Sequence, residues 1–390
     1  MRAISGRTVS CIGRGLLITA VVSALLCGAA ELSAPSPPKT LALDVAETAS
    51  ISELPSVVGS ADSDLYFMTQ ADINRTLDTL KAMGVQNVRI VIPWAGVQLT
   101  ENGEYRWGTI DRMVNAAVAR DMGILAVLNS TPDWAGEPDL SGHPDPSVFA
   151  AFAGAAADRY KGRISAYEVW NEPNSLIFWN PVDPEAYTRL LQAAYRAIKV
   201  EDESAVVVGG IVVTVFSFGR ATINPEDFVE RMYAAGAHGH FDALSVHPYQ
   251  YTTEFSEGEY DPNVNPHEPW KANSPLEQLI AIRQMMIDNG DEALRIWATE
   301  YGLPTGGPNA VTPEQQAQFV EDFLDAWSKL DFTGPSYMYT TRDRIEEIIT
   351  EHGSFGLYYW DPVTLEWTAK AVADVIKDFI EAHQNPDPNP

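Results

Sequence analysis

The chain predicts an α/β protein built as a single (β/α)8, or TIM, barrel. Two observations carry that expectation. Short, almost wholly apolar runs alternate with longer helical patterns from about residue 56 to 383, and the alternation repeats eight times. No G-x-G-x-x-G turn follows the first strand, as a doubly wound dinucleotide fold would show. Parallel strands with right-handed crossovers follow from this order.

The strand candidates are 57–59, 88–93, 124–129, 164–170, 205–210, 243–246, 295–299 and 336–339. Each is short and apolar at nearly every position, as a strand covered on both faces must be. The helix candidates are 69–83, 110–120, 146–160, 184–200, 225–235, 275–289, 313–329 and 368–382. Pro146, Pro184, Pro225, Pro275 and Pro313 fall in first turns, where a missing N–H costs nothing. Gly84, Gly123, Gly162 and Gly290 read as helix stops.

The flanks differ in character. Arg2, Arg7 and Arg14 precede the apolar run 15–30, which ends in Gly28-Ala29-Ala30. A positive flank, an apolar stretch and small residues predict a signal peptide over 1–30, cleaved after Ala30. An uncleaved membrane anchor is the rival, although the run falls short of the ~18 residues of a spanning helix. Residues 31–55, with the proline-rich 33–39, read as a linker and N-terminal extension, and 384–390 as a disordered tail. The expected location is therefore secreted or cell-envelope, with membrane contact only through an N-terminal anchor, and the expected state is a monomer.

Composition narrows function. The chain has 390 residues, with 53 acidic against 26 basic and a net charge of −27. That field repels phosphate backbones, so nucleic-acid binding is not expected. Both cysteines, Cys11 and Cys27, lie in the signal segment. A cleaved chain then has no disulfide, no thiolate zinc site and no thiol nucleophile.

Barrel active sites form where strands end, so the residues there matter most. Glu172 follows the fourth strand in Trp170-Asn171-Glu172-Pro173-Asn174, and Glu300 closes the seventh in Trp297-Ala298-Thr299-Glu300-Tyr301. One glutamate alone would read as a cap or a surface ion-pair partner. Two at one rim can flank a sugar, one protonating the leaving oxygen and the other attacking carbon or activating water. Arg89 sits in an apolar strand, where an unpaired charge is costly; a buried carboxylate at the barrel top is its expected partner and would keep Glu300 ionised. His247 and Tyr249, two apart after the sixth strand, face the same way and can donate into the site. Asn171 can bond a sugar hydroxyl. Trp134 and Trp179 lie beyond their strands among polar and proline residues and are expected to be exposed platforms for sugar rings.

Together Arg89, Asn171-Glu172-Pro173, His247-Pro248-Tyr249 and Glu300 resemble the pattern of clan A retaining glycoside hydrolases, over almost all of 57–382. Within the clan the chain is most similar to family 39 and related bacterial exopolysaccharide endoglycosidases. Asn129–Ala135 (NSTPDWA), Asp242–Tyr249 (DALSVHPY), Tyr339–Asp343 (YTTRD) and Phe355-Gly356-Leu357 support this. The resemblance implies Glu172 as acid/base, Glu300 as nucleophile, Asn171 on the 2-hydroxyl and Arg89 and Tyr249 in support of Glu300. His247 would tune the acid/base or the adjoining sugar. It implies a poly- or oligosaccharide substrate, no metal and no organic cofactor. Family 39 xylosidases carry an added β-sandwich, and nothing foldable follows the eighth helix here, which favours an endo-acting enzyme.

Two rivals have distinct signatures. A non-catalytic carbohydrate-binding barrel would explain the signal and the aromatics but not both carboxylates with Arg89. A metal-dependent hydrolase would use His247 with nearby acids, but no paired-histidine spacing at a strand end supports it, since His238 and His240 precede a strand. The insertion 250–274 after the sixth strand, with Glu254, Phe255, Glu257, Tyr260 and Trp270, either lines a cleft or covers the rim.

Overall fold

A computed structural model describes residues 50–257, 274–344 and 351–384. The expected signal peptide, most of the linker and the tail lie outside them, as do Tyr260 and Trp270. Eight parallel strands close into one barrel in sequence order: β1 (Val58–Ala61), β2 (Asn87–Pro93), β3 (Gly123–Asn129), β4 (Ala166–Val169), β5 (Val206–Val213), β6 (Ala243–His247), β7 (Arg295–Tyr301) and β8 (Thr333–Tyr339). β8 pairs back onto β1, with Val58 opposite Ser336.

The helices are α1 (Gln70–Ala82), α2 (Trp94–Val97), α3 (Gly108–Val118), α4 (Pro146–Tyr160), α5 (Pro184–Glu201), α6 (Pro225–Ala234), α7 (Pro275–Asp288), α8 (Pro313–Ser328) and α9 (Ala371–Gln384). The first-turn prolines do what the sequence suggests. Each follows a residue whose side chain accepts a first-turn N–H: Asp145, Asp183, Asn224, Ser274 and Thr312. Thr312 adds a reciprocal capping box with Gln315.

Several boundaries move. β5 continues past Gly210 to Val213, because Gly210 (φ 87°) and Ile211 (φ 35°) bend the strand while its pairing with β6 resumes at Val212. Gly123 is not a helix stop. It opens β3, and Asp121 (φ 53°) takes the left-handed position instead. Residues 368 and 369, expected as helix, belong instead to β10 (Trp367–Ala369), which pairs with β9 (Tyr358–Trp360) in a small antiparallel sheet. Ile51, within the expected linker, is buried and packs with Leu125, Ala166, Val208, Ala243 and Trp297.

The apolar layer between strands and helices is continuous from Val58 to Ile380. At ~25 cal/mol per Å² of buried apolar surface, this layer is the main favourable term holding the barrel closed. It leaves the C-terminal ends of the strands as the face on which polar side chains converge. Among the described residues, no helix is long and apolar enough to cross a membrane.

Candidate active site

The site is organised by Arg89. Its side chain rises from β2 and is 2% exposed. Nε donates to Glu168 Oε2 at 2.5 Å, Nη1 to Glu300 Oε1 at 2.5 Å and Nη2 to Asn171 Oδ1 at 2.8 Å. A guanidinium spends its planar fork well in this way, with both charges and an amide satisfied at fixed angles. The expected carboxylate partner of Arg89 is therefore present, and there are two.

Glu300, near the end of β7, receives a second donor. The Tyr249 hydroxyl lies 2.8 Å from Oε2. Burial pushes the Glu300 pKa up. The positive charges of His247 and Arg89, with the hydrogen bonds from Tyr249 and Arg89, outweigh that and hold the carboxyl below its ordinary value. Tyr249 moves the opposite way: burial first, then the charge of Glu300, raise it well above an ordinary phenol. It stays a neutral donor.

Glu172 is delivered by a strained turn. β4 ends at Val169, and Trp170 (φ 76°) and Glu172 (φ 43°) both adopt left-handed backbone, rare for such side chains. The turn is held by Ser175 N–H to Glu172 O at 3.0 Å and by the Trp170 indole to Phe178 O at 2.7 Å. Glu172 Oε1 lies 2.7 Å from His247 Nδ1. The other ring nitrogen of His247 lies 3.0 Å from Thr299 Oγ1, which in turn pairs with Ser245 Oγ. The histidine is fully buried; the two glutamates keep 14% and 12% of their side chains exposed.

One ligand atom each from Glu172, His247 and Glu300 fall within 4.8 Å of one another. Retaining glycosidases hold their carboxyl groups about 5–5.5 Å apart and inverting ones about 6.5–9.5 Å apart. The close approach of these atoms fits the shorter separation of the retaining class. The trio could in principle grip a cation. Arg89 and Tyr249, however, already donate to both oxygens of Glu300, an ion-pair arrangement that competes with metal ligation.

Six of the expected residues thus converge: Arg89, Asn171, Glu172, His247, Tyr249 and Glu300. The two tryptophans do not behave alike. Trp179 is not an exposed platform. It is 1% exposed, stacks on His143 at 4.0 Å, meets Trp170 edge-on at 5.0 Å and donates to Asp183 O. The prolines and polar residues around it form a folded loop that buries the ring. Trp134 is half-buried, edge-on to Trp94 with its N–H on Gln98 O, and keeps an accessible part. Phe255 packs under the rim against Phe323, while Glu254 bonds Gln318, so this start of the insertion covers α8.

The sequence reading missed three groups. Glu168 lies in β4 and is fully buried; a charge in the run Ala166-Tyr167-Glu168-Val169 carries the same signal used for Arg89. Thr299 and Ser245, which orient His247, look like ordinary strand residues and carry no signal. The wall of Tyr251, Tyr339 and Phe355 beside Tyr249 comes from three separate segments.

The sequence profile described as cellulase (glycosyl hydrolase family 5) matches residues 47–332. Among solved structures, a family 39 glycoside hydrolase from Bacteroides cellulosilyticus superposes with a TM-score of 0.67 at 16% identity, covering 85% of this chain and 64% of that one. The chain thus spans less than two thirds of that relative. A family 39 β-xylosidase from Caulobacter crescentus gives 0.59 at 18% identity, over 85% of this chain and 72% of that one. A GH5_18 structure from Streptomyces cattleya, in complex with GlcNAc, gives 0.60 at 14% identity, over 87% and 82%. At these identities the structures speak to the fold.

Proposed function

The chain belongs to the cellulase family, glycosyl hydrolase family 5, within the retaining clan A, and we propose that it is an exported, endo-acting hydrolase of a polysaccharide that uses Glu172 and Glu300. The observation that carries the assignment of roles is the unequal hydrogen bonding of the two carboxylates. Glu300 has both oxygens engaged by donors and its pKa held low, as a nucleophile must. Glu172 faces it across the mouth with a single histidine contact.

In the first step Glu172 gives its proton to the glycosidic oxygen while Glu300 attacks the anomeric carbon. The carbon–oxygen bond to the leaving group breaks and a glycosyl ester forms. Glu172, now a carboxylate, takes a proton from water, which attacks the same carbon and frees Glu300. Two displacements retain configuration. Asn171, oriented by Arg89, offers its amide to the 2-hydroxyl. Export is supported by the basic flank and apolar run of residues 1–30. Endo action is supported by the resemblance of 129–135 and 242–249 to bacterial exopolysaccharide endoglycosidases.

The test is product release from a panel of soluble polysaccharides by the purified protein, beside its Glu300→Gln variant. Oligosaccharides from the wild type alone, with the β- or α-anomer of the substrate preserved in early NMR spectra, are expected. Single sugars alone would mean exo action. No release from any polymer, with binding intact, would favour the binding-only barrel.

A further inference from the structure

Arg89 has two carboxylate partners, and only one of them reacts. Glu168 is fully buried, flanked by Tyr167 and Val169, with Val127 and Val208 beside it in the ladder. Its Oε2 takes the Arg89 Nε–H, and its Oε1 has no hydrogen-bond partner among the described residues. Arg89 is thus the one group seen to offset the burial of this charge. Glu168 is fully buried, so it acts through Arg89 and not on substrate.

The double displacement moves charge across the site. When the bond from Glu300 to carbon forms, that carboxylate becomes a neutral ester, and the glycosidic electron pair leaves with the proton of Glu172. Net charge is conserved, but the negative charge passes from Glu300, beside Arg89, to Glu172, beside His247. Arg89, 2% exposed, would then be a buried cation facing an ester. We propose that Glu168 is a positioning residue: the permanent counter-ion of Arg89, which keeps the guanidinium paired and in place while the charge of Glu300 is consumed. This rests on the reading of Glu300 as nucleophile.

Glu300→Gln imitates the neutralised nucleophile, so thermal unfolding can test the pairing without any sugar. Glu168→Gln and Glu300→Gln each leave Arg89 one carboxylate and should lower the unfolding temperature by only about 3 °C. The double variant leaves it none and should lose at least about 5 °C beyond the sum of the two. Adding Arg89→Leu to the double variant removes the stranded cation and should restore most of that loss. Additive losses overturn the proposal. If the double variant does not fold, folding of the triple variant supports the proposal and its failure overturns it. In turnover of the polysaccharide found above, Glu168→Gln should lower kcat about tenfold or more with KM within about twofold. A raised KM at unchanged kcat would instead mark a merely structural role and overturn it. The two readings fail separately. Additive unfolding overturns the counter-ion even in an active enzyme, and an inactive wild type overturns the hydrolase whatever the cycle gives.

Discussion

The ends of β4 and β7 each present a glutamate to the barrel mouth, but they hold it by opposite means. Glu300 lies within β7, where the pairing with β8 shifts register, and is fixed electrostatically, with Arg89 on one oxygen and Tyr249 on the other. Glu172 leaves through two left-handed residues and is fixed mainly by backbone strain, with one contact to His247. A group that must stay charged is surrounded by donors. A group that must gain and lose a proton is held by its backbone, with a histidine as its one side-chain contact. Removing the charge at each end should sharpen this contrast. Glu300→Gln removes the attacking group and should cost at least about 10⁴-fold in kcat on every substrate. A variant with activity close to wild type would end the assignment.

Glu172→Gln should cost less, and selectively. General acid catalysis contributes about 10²–10⁴-fold, so the loss on a sugar leaving group should fall in that range. With an aryl glycoside of the same sugar, whose leaving group needs no proton, the first step should be nearly unaffected. Equal losses on both substrates would show that the two ends do not divide the work this way.

Tyr249→Phe probes the donor shell itself. The hydroxyl supplies one charge-assisted hydrogen bond, so roughly tenfold in kcat/KM is at stake. The sign of the pH effect follows from the direction of the shift. Tyr249 helps hold the Glu300 pKa low, so its loss raises that pKa and the acid limb of the kcat/KM profile moves to higher pH. An unmoved limb would mean that Arg89 and His247 suffice.

Much of this was legible in the chain because it rests on local rules. The barrel follows from apolar runs and first-turn prolines; five of the six converging residues follow from reading strand ends, and Arg89 from a charge inside an apolar strand. What was not legible depends on distance. Trp179 sits in a loop whose sequence resembles an exposed rim, yet His143, 36 positions earlier, closes over it. Glu168 carries the signal of a charge in an apolar run, but its partner emerges only when Arg89, from a different strand, is placed against it. The Tyr251, Tyr339 and Phe355 wall exists only after the end of β8 meets two loops.

The smallest effect separates the reacting centre from its surroundings on the same rim. Asp62, just after β1, is also a buried carboxylate, but the opposite forces win there. Burial and then the charge of Asp64 raise its pKa to about 6, against the hydrogen bond from Thr341 and the charges of Arg342 and Arg344. Its linkage therefore has the reverse sign to that of Glu300. A raised carboxyl costs no stability below its unfolded value of 3.8, and the cost grows as pH rises through about 6. Glu300, lowered from 4.5, stabilises above that value and is lost as pH falls through its folded pKa. Asp62→Asn removes the first contribution and keeps the cap, since an amide oxygen can still accept from Asp64 N–H. The variant should gain on wild type in unfolding temperature between about pH 4 and pH 8, by a few degrees at most, with kcat unchanged. A gain that shrinks with pH instead would mean that Arg342 and Arg344 hold Asp62 as firmly ionised as Arg89 holds Glu300. The rim would then carry two donor-stabilised carboxylates, and low pKa alone would no longer single out the nucleophile.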